Sequence, residues 1–89
     1  MYHLYIVKCA DKTLYTGITV DLVRRLKEHN GSKLGASYTR SRRPVKLLWS
    51  KKFRNRSTAS IAEARLKRLS RSHKLALIRA NRRIRKIDL

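Results

Sequence analysis

Apolar, β-branched and aromatic positions crowd two short runs, YHLYIVKC over residues 2–9 and LYTGI over 14–18. The polar stretch Ala10-Asp11-Lys12-Thr13 separates them, which predicts two strands joined as an antiparallel hairpin. Gly17, inside the second run, predicts a bulge or a close backbone approach. The period then changes. Leu22, Leu26 and His29 recur at i, i+4 and i+7, on one face of a helix. Thr19 or Asp21 serves as its cap and Asn30-Gly31 as its stop. Arg25 lies between Leu22 and His29 on the same side, because neighbours three and four apart meet; Arg24, Lys27 and Glu28 face elsewhere.

Residues 32–43, SKLGASYTRSRR, read as a polar, basic loop broken at Gly35, with Tyr38 its only aromatic. Pro44 opens a third strand, VKLLWSKKF over 45–53, where a proline is tolerated at the start. Ser57 or Thr58 begins a second helix, with Ala62, Leu66 and Leu69 apolar and Glu63 paired with Lys67 at i, i+4. Ser70 or Ser72 begins a third, with Leu75, Leu77 and Ile78 apolar, and the tail from Asn81, NRRIRKIDL, is expected to fray. Without a repeat or a linker, residues 1–89 form one domain. A chain of this length buries only roughly 60–65% of its unfolded surface, so the core is small.

Composition narrows the partners. No apolar run reaches the roughly 20 residues of a membrane span, and the N-terminal apolar run is too short for a secretory signal. The single cysteine, Cys9, excludes an intramolecular disulfide, fits a reducing, cytoplasmic compartment, and in a strand reads as a packed thiol. The charge is +19, from 24 Lys and Arg against 5 Asp and Glu. It is uneven, at +3 over residues 1–39 and +16 over 40–89. Such a domain repels itself unless it meets a polyanion, which points to nucleic acid and to a monomer. A membrane surface fits less well, because the basic stretches lack a Trp/Phe/Leu-rich opposite face. Lys33, Arg40, Arg42, Arg43, Lys67 and Lys74 are the candidate phosphate contacts. Tyr38 is a candidate for stacking on a base, which would favour single-stranded or distorted DNA.

Few residues carry candidate chemistry. Glu63 is the only carboxylate between Glu28 and Asp88. Its bland reading is a surface pair with Lys67, worth about 0.2–0.5 kcal/mol. The sharper reading is a magnesium ligand, because Mg²⁺ takes one or two protein carboxylates and completes its octahedron with water and phosphate. Arg25 and His29 read either as an exposed basic face or as a pair aimed at one phosphodiester. In that pair a guanidinium meets the extra charge of the transition state and an imidazole relays a proton. Tyr5 and Tyr15 read as strand packing, or as phenols whose pKa surrounding cations would lower until they accept a proton from water. The three histidines lack the spacing of a zinc site, and no Walker-type loop, GxGxxG or serine or cysteine triad is present.

Taken together, the two strand motifs, the arginine and histidine one turn apart and the distal glutamate resemble the GIY-YIG endonuclease family. His3-Leu4-Tyr5 stands at its first motif and keeps only the tyrosine; Tyr15-Thr16-Gly17 stands at the second and keeps tyrosine and glycine. Arg25, His29 and Glu63 match the following positions, and the context LYTGIT…DLVRRLKEHN…G makes the match specific. Tyr38-Thr39-Arg40 and Arg43-Pro44-Val45 look like the small stand-alone bacterial members. The resemblance implies an α/β fold, a three-stranded antiparallel sheet flanked by about three helices. It implies a metal-dependent endonuclease that hydrolyses DNA phosphodiester bonds; the expected setting is repair, recombination or processing, and the expected substrates include single-stranded or branched DNA. Tyr5 or Tyr15, with His29, would activate water. Arg25 would steady the transition state, and Glu63 would hold Mg²⁺ or Mn²⁺. The competing reading is a non-catalytic basic module on the same scaffold, binding DNA or structured RNA.

Overall fold

In the computed structural model, residues 1–31 and 33–88 are described, with side chains through Ala80. The two apolar runs form β1 (Tyr2–Lys8) and β2 (Leu14–Thr19), antiparallel, with Tyr5 opposite Gly17 and Val7 opposite Tyr15. The hairpin turn closes on itself. Asp11 accepts from the backbone and hydroxyl of Thr13, and Lys12 adopts a φ of 69°. The third strand, β3 (Lys46–Phe53), pairs antiparallel on the other side of β1, giving the order β2-β1-β3. The register of β1 with β3 shifts between Ile6 and Val7, where Leu48 is the extra residue. β1 ends at Lys8, so Cys9 sits just past the strand, still buried.

Four helices complete the fold among the described residues: α1 (Leu22–Gly31), α2 (Ser37–Arg40), α3 (Arg56–Arg68) and α4 (Arg71–Asp88). Asp21 caps α1 by accepting from the Arg24 N–H at 3.1 Å, and Asn55 caps α3 by accepting from the Thr58 N–H at 2.9 Å. α3 therefore starts slightly before the serine and threonine expected to open it, because asparagine competes well for a cap position. Ser70 accepts from the His73 N–H at the start of α4. The tail expected to fray from Asn81 is assigned to α4 as far as Asp88, and its side chains lie outside the described residues.

Alternation along β1 separates two cores. Leu4 and Ile6 face Trp49, Leu66 and Ile78, so α3 and α4 cover one side of the sheet. Tyr5 and Val7 face Tyr15, Leu22 and Leu26, so α1 covers the other. Ile6 and Val7 are fully enclosed, and each such side chain stabilises by about 1.5–3 kcal/mol. Leu69, expected on the apolar face of α3, ends that helix as its C-cap and is exposed.

The stretch read as a plain loop contains the short helix α2 and is firmly anchored. A Cβ at Gly35 would come within 2.6 Å of the Glu28 carbonyl oxygen, so this residue lets the segment lie directly against α1. The Arg43 guanidinium donates to the carbonyls of His29 and Glu28, and the Asn30 amide bonds both the N–H and the carbonyl of Val45. Arg42 reaches Asp11 at 2.9 Å, tying the segment to the hairpin turn. None of these anchors follows a helical or strand period, which is why sequence periodicity missed the helix.

Candidate active site

β1 and α1 bring their motif residues together beneath the segment that carries α2. The Tyr5 hydroxyl oxygen lies 2.8 Å from His29 Nε2, and both residues are buried, at 2% and 0% exposure. His29 Nδ1 lies 2.9 Å from the hydroxyl of Thr39, on α2, which is equally buried. Tyr15 meets the His29 ring edge-on, with centroids 5.5 Å apart. Tyr38 stacks on Tyr15 at 5.7 Å, and the Arg42 guanidinium lies 4.0 Å from the centre of the Tyr38 ring. The aromatic expected to await a base is thus already part of a tyrosine stack.

Gly17 makes the Tyr5 position possible. A Cβ there would sit 2.5 Å from the Tyr5 hydroxyl oxygen. The expected close approach is found, and it is a phenol rather than backbone that comes close. The expected alternative, a bulge, is absent at this pair. Gly17→Ala should force the hydroxyl off His29 and cost about 1–3 kcal/mol through overpacking. Thermal melting checks this, and an unchanged melting temperature would show that the phenol shifts without cost.

Arg25 stands beside Tyr5. Its Nη1 donates to Glu28 at 2.9 Å and to the Leu34 carbonyl at 2.8 Å. Glu28 also accepts from Arg24 at 3.2 Å, so it orients the arginine rather than facing away. The sequence carried a signal for this, an acid three residues after Arg25 in a chain with few acids. Burial works against the Arg25 charge, but the bond to Glu28 and the neighbouring Tyr5 outweigh it and raise the pKa. The bond to Arg25 is the largest influence on Glu28, holding its carboxyl below the usual range.

The electrostatics of the phenol reverse the expectation. Burial pushes the Tyr5 pKa up, and the nearby Tyr15 and Glu63 add to that; the Arg25 bond and charge oppose it without prevailing. Tyr5 is therefore a protonated phenol at neutral pH. Burial likewise lowers the His29 pKa, helped by the charges of Arg25 and Arg43 and opposed by Glu28, so the imidazole is neutral.

Glu63 comes from α3, on the other side of the sheet, near enough for its charge to act on Tyr5. Its side chain is 23% exposed, and Lys67 lies 3.4 Å away, the expected i, i+4 pair. Among the described residues, no three His, Cys, Asp or Glu side chains cluster as a metal site. One partly buried carboxylate fits a cation that draws its remaining ligands from water and phosphate, and does not fit zinc.

The basic candidates are more dispersed. Arg40 donates to the carbonyls of Lys33 and Gly35, and Arg42 to that of Tyr38. Lys33 is exposed on the same segment, and Lys67 and Lys74 belong to α3 and α4. α4, which carries Lys74, packs on the side of the sheet opposite the tyrosine cluster. Sequence reading missed Thr39 and Glu28; ten residues separate Thr39 from His29, and only the docking of α2 on α1 reveals it.

Known proteins resemble this chain along most of its length. Residues 1–76 match the GIY-YIG catalytic domain. A UPF0213 protein of Desulfotalea psychrophila is 52% identical over 80 residues, covering 90% of this chain and 73% of that protein. One from Halobacterium salinarum is 48% identical over 77 residues, covering 86% and 99%. The solution NMR structure of a UPF0213 protein from Bacillus halodurans shares 40% identity at a TM-score of 0.58, covering 90% of this chain and 85% of that one. The buried tyrosine–histidine pair, the adjacent arginine and the distal glutamate thus stand in a catalytic domain whose family implies nuclease activity, and the chain belongs to the GIY-YIG family.

Proposed function

We propose that this protein is a divalent-metal-dependent endonuclease that hydrolyses DNA phosphodiester bonds. The observation that carries this reading is the 2.8 Å contact between Tyr5 and His29, with Arg25 beside the same phenol. A phenol whose pKa is raised keeps a proton taken from water only if it passes its own onward. Tyr5 has an acceptor in place. Tyr15, half-buried and nearer solvent, borders the site. Arg25 supplies charge where the phosphorane develops it, held in direction by Glu28. Glu63 would hold Mg²⁺ or Mn²⁺ together with water and phosphate oxygens. A bound cation of this kind stabilises negative charge on the phosphoryl and leaving oxygens.

Incubation with labelled single-stranded, duplex and branched DNA, and with RNA, in Mg²⁺ and in excess chelator, tests the proposal. Metal-dependent cleavage of DNA supports it. Tight binding with no cleavage of any substrate would instead make the protein a basic binding module. Binding itself should run through phosphates, with Lys33, Arg40, Arg42, Lys67 and Lys74 as contacts. If about six phosphates are neutralised, log K falls with log salt at a slope near −5 on duplex DNA. A salt-insensitive affinity would contradict this.

A further inference from the structure

We infer that Thr39 is a positioning residue of the site: its hydroxyl holds His29 in the tautomer that carries the proton on Nδ1, leaving Nε2 to receive the proton of Tyr5.

The assignment follows from counting protons. A neutral imidazole has one N–H, so one ring nitrogen donates and the other accepts. Nδ1 lies 2.9 Å from Thr39 Oγ1, and Nε2 lies 2.8 Å from Tyr5 Oη. The Thr39 hydroxyl has one proton and lies 3.0 Å from the Ala36 carbonyl oxygen, which only accepts. With that proton on Ala36, Thr39 Oγ1 becomes the acceptor for Nδ1–H, and Tyr5 donates to the bare Nε2. The reverse arrangement gives up the bond to Ala36 and turns the Tyr5 proton toward a new acceptor. The charged group beside that phenol is the Arg25 guanidinium, which has only donors. The first arrangement satisfies all three protons, from the phenol, the imidazole and the hydroxyl.

The consequence rests on the nuclease reading. As an O–H bond of the attacking water breaks, its proton goes to Tyr5 Oη, and the water oxygen forms the new bond to phosphorus while the bond from phosphorus to the leaving sugar oxygen breaks, that oxygen leaving as an alkoxide that takes a proton from solvent. The original Tyr5 proton moves to His29 Nε2, giving an imidazolium whose Nδ1–H stays on Thr39. In the other tautomer Nε2 is already protonated, and Tyr5 has nowhere to send its proton.

The ring nitrogens report this directly in long-range ¹H–¹⁵N NMR spectra of the labelled full chain. The His29 signals are identified by His3→Gln and His73→Gln. The wild-type protein should show Nδ1 protonated and Nε2 unprotonated. Thr39→Val keeps the side-chain shape and removes the hydroxyl. The Ala36 carbonyl retains the backbone N–H groups of Thr39 and Arg40, both at 3.1 Å, so the turn keeps its bonds. This variant should move the ring proton toward Nε2 and lower single-turnover cleavage by about 10²-fold or more, the scale of proton-transfer catalysis. Thr39→Ser should restore both. An Nε2–H tautomer in the wild type would overturn the inference, as would a Thr39→Val ring or cleavage rate like the wild type's. If Thr39→Val does not fold, the wild-type spectrum and Thr39→Ser still decide. A protein that cleaves nothing yet shows the tautomer and its shift would defeat the nuclease reading and support the role of Thr39 in setting the ring.

Discussion

Glu63→Gln should leave the fold and the DNA affinity in place and abolish cleavage. The amide is nearly isosteric, so no cavity or clash is created. Its loss of charge costs only a half-exposed pair with Lys67, under about 0.5 kcal/mol at such a surface. The removed charge stands in a strongly basic half-chain, so affinity for a polyanion should hold or rise. A hard cation prefers charged oxygen, and no nearby cluster of acids stands ready to replace this one among the described residues. Cleavage rates measured against Mg²⁺ concentration for both proteins, with melting curves alongside, decide the matter. A fully active variant, or wild-type cleavage that survives excess chelator, would remove Glu63 from the mechanism.

Arg25→Ala should reduce the single-turnover rate about 10²–10³-fold, the usual effect of losing one preorganised donor to transition-state charge. The dissociation constant should change far less. One arginine among 24 basic residues contributes little to the general attraction for phosphate. At the site it is different, because Glu28 and the Leu34 carbonyl aim it beside the phenol. Those two bonds also support the fold, so the rates belong at a temperature where melting shows both proteins folded. Equal falls in rate and affinity would make Arg25 an ordinary phosphate contact.

Tyr5 shows where local reasoning stopped. The excess of cations in the chain argued for a lowered phenol pKa. In the folded protein the phenol is buried against Gly17 and His29, and desolvation outweighs the one cation in contact. Net charge is a property of composition, whereas a pKa depends on distance and burial, which the linear chain does not display. Tyr38 and Arg43 teach the same point: an aromatic that stays exposed also joined a stack, and a loop arginine turned inward to the end of α1.

By itself, the sequence determined the hairpin, the face of α1 that carries Arg25 and His29, the third strand and the Glu63–Lys67 pair. Each depends on neighbours within about one helical turn or on strand alternation, and side-chain periodicity records such relations directly. That Gly17 makes room for a phenol, that Gly35 lets α2 lie on α1, and that Thr39 reaches His29 became visible once the elements were packed together. These contacts join residues 6 to 24 positions apart, Gly35 to the backbone of Glu28 and His29, Gly17 to the Tyr5 ring and His29 to both Thr39 and Tyr5, across elements whose docking no local pattern encodes. The motif positions were legible because spacing carries them; the proton path between them depends on how α2, α1 and β1 pack against one another.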